Sequence, residues 1–226
     1  MHALVVAQEP DELAILSVVL QRAGMTVSRT GMFERTIQTG PEHPTDFVIL
    51  AAKESPSPAQ IRRFRAQTQV PLVVIVGHVD EDVHIELLEA GVDLIVSRPF
   101  SARLLIGQVR ALIRRAASVP FFSLPVLTMG ELTLDPATRT VRVSENSPQR
   151  LTHLEFRLLY TLMLNQGQIL SAETLVEHVW GYTGEGDRNL VRGLVRRLRS
   201  KVEPDPGNPR YVVTVTGLGY TFEPMS

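Results

Sequence analysis

The stretch DRNLVRGLVRRLRSKVE, residues 187–203, carries the period of a helix and two chemically opposed sides. At about 100° per residue, Val191, Leu194, Val195, Leu198 and Val202 fall in one apolar sector that must pack on a core. Arg188, Arg192, Arg196 and Arg199 fall on one flank of the remainder, Arg197 and Lys201 on the other, and Asn189, Gly193 and Ser200 lie between them. No acidic residue occurs from Arg188 to Lys201. A solvated face laced with i,i+4 ion pairs mixes Glu with Arg, so this pattern points instead to a polyanion, and double-stranded DNA is the expected partner.

The flanking sequence supplies a mount for that helix. Upstream come short β runs at 127–136, 139–145 and 150–152, then amphipathic helices at 153–165 and 172–180. Thr152 with Glu155 three residues on is a capping-box pattern for the first of these. The loop GYTGEGD (181–187) leads into the basic helix, and RYVVTVTGLGYTFEP (210–224) reads as two β runs around a Gly-rich turn. Three helices closed by a hairpin make an α+β winged helix-turn-helix over 126–226, its third helix placed for the major groove. Trp180, at the end of its helix, reads as a core plug.

Residues 1–116 have a different rhythm. The runs ALVVA (3–7), TVSRT (26–30), FVILAA (47–52), PLVVIV (71–76) and LIVSR (94–98) alternate with helix-like stretches, most clearly 12–22, 59–68, 81–90 and 102–115. Continuous apolar strands imply burial on both faces, so the expected fold is α/β, a doubly wound five-stranded parallel sheet. The working site of such a sheet lies at the carboxyl ends of its strands. That rim, Ala7, Gln8, Glu9, Ala51, Ala52, Lys53, Val76, Gly77, Ser97 and Arg98, is chemically poor: one carboxylate is too few for a hard divalent cation. The six histidines are scattered, with no metal-ligand or triad-like spacing, and Gly-rich phosphate loops are absent. The first half does not read as an enzyme, and neither metal nor cofactor is expected. ASVPFFSLP (117–125), with two prolines and no helical period, is the expected linker.

Composition sets the frame. The 226 residues are 44% hydrophobic and 21% charged, with formal net charge −1. Residues 1–116 hold 12 Lys+Arg against 13 Asp+Glu and residues 117–226 hold 11 against 11, so a nucleic-acid footprint must be a patch. The segment 187–203 concentrates six of those 11. Without cysteine, disulfides, thiolate metal sites and Cys nucleophiles are excluded. No apolar run reaches membrane-spanning length, and a cytoplasmic location is expected.

Over essentially its whole length the chain resembles response regulators of the OmpR/PhoB type. The C-terminal resemblance rests on LTHLEFRLLYTL (151–162), ILSAETLVEHVWGY (169–182), the GDRNLV and VRRLRSKVE segments within 186–203, and TVTGLGYTFE (214–223); the N-terminal one on VVAQEP (5–10), DFVIL (46–50), VPLVVIVG (70–77), EAGVD (89–93) and SRPFS (97–101). The family's receiver chemistry is missing. Where the family places two adjacent aspartates for Mg²⁺, this chain has Ala7 and Gln8; at the phosphoacceptor aspartate, Ala51; at the switch hydroxyl, Val76; at the switch aromatic, Ile95; at the lysine before the Pro-Phe pair, Arg98. An alanine has no oxygen to take a phosphoryl group, so the expected control is phosphorylation-independent. In the thinned pocket, Lys53 or Arg98 is expected to pair with Glu9.

The resemblance also implies pairing of receivers through the fourth helix, fifth strand and fifth helix. The family's charged positions there become His84, Leu94, Leu104 and Gln108, which points to a constitutive homodimer held by apolar area. Base-edge contacts are expected from Asn189, Arg192, Arg196 and Arg197, and phosphate contacts from Arg188, Arg199 and Lys201. Gly193 is expected to allow close approach to the groove. In the wing, Thr216 stands where the family often has a basic residue, and Arg210 and Tyr220 are candidate backbone contacts. As a transcription regulator the chain would also meet RNA polymerase. Two other readings stay open: a small-molecule or protein-partner sensor using the altered rim, and an interaction adaptor with little DNA affinity.

Overall fold

A computed structural model describes residues 1–117, 124–181 and 188–224, with side chains omitted at 114–117. The chain divides into two compact units, Met1–Ile113 and Arg114–Ser226. In the first, the runs that are apolar at every position become the central strands: β3 (Phe47–Ala51) and β4 (Leu72–Val76) are buried throughout. With β1 (His2–Ala7), β2 (Thr26–Thr30) and β5 (Leu94–Ser97) they form one parallel sheet in the order β2-β1-β3-β4-β5. The half-exposed TVSRT strand takes an edge, where one ladder is enough. This is the expected doubly wound sheet.

Its helices are α1 (Pro10–Arg22), α2 (Phe33–Thr39), α3 (Pro58–Gln67), α4 (Glu81–Ala90) and α5 (Ala102–Ala117). Pro10 opens α1, followed by Asp11 and Glu12 in its first turn, both favourable at a helix N-terminus. Ser57 and Gln60 cap α3 reciprocally. Helix α2 has seven residues with Phe33, Thr36 and Ile37 buried, too short a period to stand out in the sequence.

The second unit starts with an antiparallel meander, β6 (Leu127–Met129), β7 (Leu132–Asp135), β8 (Thr140–Val143) and β9 (Gln149–Arg150). The run read as one β segment at 127–136 is thus a hairpin, folded at Gly130 with φ 59°. Helices α6 (His153–Leu164), α7 (Ala172–Val179) and α8 (Arg188–Val202) follow, then the hairpin β10 (Val212–Val215) and β11 (Gly219–Phe222). The capping box at Thr152 and Glu155 is formed. Trp180, Phe156, Tyr211 and Phe222 are buried in the core. The hairpin closes onto the segment before α7 through paired bonds between Leu170 and Tyr220. Gly219 permits this approach, since a Cβ there would sit 2.0 Å from the Leu170 carbonyl oxygen. The linker read at 117–125 falls largely outside the described residues, as does most of the loop read at 181–187.

One buried ion pair ties the first unit's α3 to the turn between α4 and β5. Asp93, 2% exposed, accepts from Arg65 and from the backbone N–H of Leu72; Arg65 also donates to the carbonyls of Gly91 and Val70. Removing one member of a buried pair strands the other's charge in a low dielectric. Asp93→Ala should therefore destabilise this unit by about 3 kcal/mol or more, read as a lower urea midpoint for its transition; an unchanged midpoint would refute the assignment.

Candidate nucleic-acid interface

Helix α8 buries more of its surface than its apolar sector alone requires. Leu190, Val191, Gly193, Leu194, Val195, Arg197, Leu198 and Val202 are all buried. What stays exposed is a single row at four-residue spacing, Arg188, Arg192, Arg196 and Ser200, with Asn189 and Arg199 half-exposed beside it. On the helix wheel these six span an arc of about 120°.

Two expectations change. Arg197 is 9% exposed and does not lie at the open centre of the helix, because Leu190, about 20° away on the wheel, is buried and carries that flank inward. Gly193 is also buried, so its missing side chain serves packing inside the domain and not approach to a groove.

The C-terminal end of α8 is fastened by polar contacts. Glu203, 8% exposed, follows α8 directly and accepts the backbone N–H groups of Arg210, Tyr211 and Val212 at 2.8–3.0 Å. Arg199 donates to the Val212 carbonyl through Nε and Nη2 at 2.9 and 2.6 Å, and to Thr214 Oγ1 at 2.8 Å. Burial lowers the Arg199 pKa, while Tyr220 and Glu203 oppose that shift; a guanidinium stays charged at neutral pH regardless. Lys201 donates to Glu155 Oε2 at 2.7 Å and to the Arg150 carbonyl at 2.9 Å. Arg199 and Lys201, expected at phosphates, are thus committed to holding α8 against β10 and against the start of α6.

In the wing, Thr216 and Arg210 are exposed and Tyr220 is half-buried. Burial raises the Tyr220 pKa, and the Arg199 and Arg192 cations lower it. The phenol is therefore neutral at physiological pH and its O–H can donate. Arg192, on the open row of α8, is thus one of the charges felt by Tyr220 of the wing. The sequence reading missed a cleft of about 360 Å³ where the first turn of α7, the start of α8 and the wing converge; Ser171, Glu173, Arg188, Thr214, Leu218 and Tyr220 line it. Of its lining residues, Arg188 and Tyr220 were candidates from the sequence; Ser171, which accepts from the Thr174 N–H as the cap of α7, was not. Arg188 and Glu173 stand 4.0 Å apart there, both well exposed, a pair too weak to hold Arg188 away from a phosphate.

The sheet's carboxyl rim in the first unit is partly buried. Ala7, Ala51 and Val76 are buried, and Gln8, Glu9 and Lys53 are exposed. Arg98 does not pair with Glu9: Nε and Nη2 donate to Glu12 Oε1, and Nη1 donates to the Ala52 carbonyl at 2.9 Å. Glu12, one turn into α1, is reached because Glu9 precedes the helix at its N-cap. Among the described residues no group of three or more His, Cys, Asp or Glu is placed to hold a metal. Leu94, expected on a dimer face, is 3% exposed and belongs to its own domain's core, whereas Leu104 is 60% exposed and His84 and Gln108 are half-exposed.

Glu203 sets the wing's position, so its loss should be felt in both stability and binding. Glu203→Ala removes the acceptor from three backbone N–H groups and should cost about 3 kcal/mol or more, measured by urea unfolding of the full chain. Glu203→Gln keeps one carbonyl oxygen and should lose less.

Comparison with known proteins places these features in a family. Residues 146–222 match the family model described as "Transcriptional regulatory protein, C terminal". The chain is 35% identical over 225 residues to the DNA-binding response regulator MtrA of Mycolicibacterium smegmatis, covering 98% of this chain and 96% of that one. It is 31% identical to the KDP operon transcriptional regulatory protein KdpE of Escherichia coli, covering 98% of each. A solved structure of a RitR mutant shares the fold with a TM-score of 0.78 at 23% identity, covering 99% of each chain. No helix among the described residues is long and apolar enough to cross a membrane. With its five-stranded parallel receiver-like sheet, its winged helix-turn-helix and full-length relatives that are transcription regulators, the chain belongs to the OmpR/PhoB-type DNA-binding response regulators.

Proposed function

We propose that this chain is a cytoplasmic, sequence-specific transcription regulator that binds DNA without aspartyl phosphorylation of its receiver-like unit and works as a dimer. The observation that carries the DNA reading is the exposed row Arg188, Arg192, Arg196 and Ser200 on a helix whose other faces are buried or pinned. Arg192 and Arg196, with Asn189, are the base-reading side chains, because Arg grips guanine and Asn adenine bidentately. Arg188, Arg210, Thr216 and Tyr220 contact the backbone. Arg199 and Lys201 act as clamps within the domain, and Arg197 supports the helix from inside.

Phosphorylation independence is supported by Ala51, which offers no oxygen at the carboxyl end of β3, and by Arg98, which is engaged by Glu12 and the Ala52 carbonyl. Thiol redox control is excluded by the absence of cysteine. A sensor reading for the first unit draws support from a cleft of about 390 Å³ between β2 and α2, lined by His2, Ser28, Arg29, Thr30 and Arg35 among others. Its test is a ligand-induced rise in melting temperature.

If each protomer neutralises roughly four to six phosphates, log affinity should fall against log salt with a slope of about −0.9 per contact. The preferred site should hold two half-sites about one helical turn apart. Arg196→Ala should cost about 1–3 kcal/mol and relax one base preference, read by gel-shift on a panel of operator variants. A uniform loss on all sequences would make Arg196 a phosphate contact instead. Treating the protein with a small-molecule phosphodonor should leave its DNA affinity unchanged.

A further inference from the structure

The outward side of α1 carries a pattern that its packing does not explain. Leu16, Ser17 and Leu20 face the core, while Asp11, Ile15, Val18 and Arg22 are all exposed. Ile15 is 61% exposed and Val18 45%. Their spacing of four, three and four residues puts these four side chains within about 60° of one another on the helix, the spacing of a coiled-coil seam. The seam is apolar in the middle, acidic at the first turn and basic at the last.

We infer that α1 is the two-fold contact between two copies of this chain, packed antiparallel on the seam Asp11, Ile15, Val18 and Arg22. This rests on the reading of the chain as a dimeric regulator and names its surface. The four positions are palindromic about a point between Leu16 and Ser17. A two-fold axis there sets Ile15 against the partner's Val18, Val18 against the partner's Ile15, and Asp11 against the partner's Arg22 at both ends. A two-fold interface must be self-complementary in this way, residue i meeting j and j meeting i. Antiparallel helices also align their macrodipoles favourably. Exposed Ala14 beside the seam has only a methyl group to keep the helices apart. Charge at the two ends of a helix serves its own dipole as well, and single exposed aliphatics are ordinary. Neither consideration places both aliphatics on the line that joins the two charges.

The competing face is thinner than its sequence promised. Leu94 is in the core, leaving Leu104 exposed with half-exposed His84 and Gln108. Two facing helices of this length bury less than a standard interface, so the dimer should be weak and concentration-dependent.

The test is sedimentation equilibrium of the full chain with charge-reversed variants. Asp11→Arg and Arg22→Asp, each alone, set like charges against each other at both ends of the seam and should raise the dissociation constant by about tenfold or more. An equimolar mixture of the two restores both opposite-charge contacts and should give a 1:1 heterodimer of at least wild-type affinity. Ile15→Asp should be monomeric. Circular dichroism melts confirm that each variant is folded. A dimer insensitive to these changes, or one dissolved by Leu104→Asp and not by Ile15→Asp, overturns the α1 seam while leaving dimerisation intact. A wild-type chain that stays monomeric at about 1 mM, where an association of about −4 kcal/mol would already show, overturns the dimer reading as well.

Discussion

A buried carboxylate sets the geometry of the DNA-binding unit. Glu203 follows the last turn of α8, and its two oxygens take the N–H groups of Arg210, Tyr211 and Val212, where the chain returns to begin the wing. A carboxylate that shielded from water is tolerated only when its lone pairs are met, so the helix end and the start of β10 cannot separate without a large cost. Arg199 adds a second tie one turn earlier, and Lys201 fastens the opposite flank to Glu155, itself the third residue of the α6 capping box. Three charged residues at the C-terminal end of α8 are thereby used up in construction. The exposed side of α8 lies nearer its N-terminal end, with Arg188, Arg192 and Arg196 exposed and Asn189 half-exposed.

This division of labour separates two roles that composition cannot distinguish. An arginine that donates to two acceptors of its own domain has a fixed geometry and little to give a phosphate. One on an open row can turn its donors toward a ligand, at the entropic cost of ordering a long side chain on binding. Of the six positive residues of α8, Arg199 and Lys201 are thus engaged within the domain.

In the receiver-like unit an arginine is likewise engaged within its own domain. Arg98 reaches Glu12 on α1 and the Ala52 carbonyl after β3, so the end of β5 is tied to two other elements over the place where Ala51 stands. The Arg98–Glu12 ion pair is internal to the unit and needs no modification to form. The unit has the family's sheet, with Ala51 at the carboxyl end of β3 and Arg98 engaged within the unit.

The residues alone were enough for the doubly wound sheet, because β3 and β4 are apolar at every position and such runs are stable only between two layers of helices. They were also enough for α6, α7 and α8, whose periods are local, and for the capping box that opens α6. Helix α2 was not legible, with three buried residues in seven; nor was the turn at Gly130, hidden inside a continuous β-like run. The fates of individual cations awaited the fold. Arg196 and Arg197 are neighbours in sequence and both charged, yet the first is exposed and the second buried, because the packing of Leu190 and the position of Glu155 decide which flank of α8 meets protein. Arg98 chose Glu12 over Glu9 for a similar reason: an ion pair forms with the carboxylate that backbone geometry brings within reach, and that distance is set by how α1 leaves β1. A helix wheel gives the angle of a side chain about its own axis; what lies at that angle is a property of the packed domain.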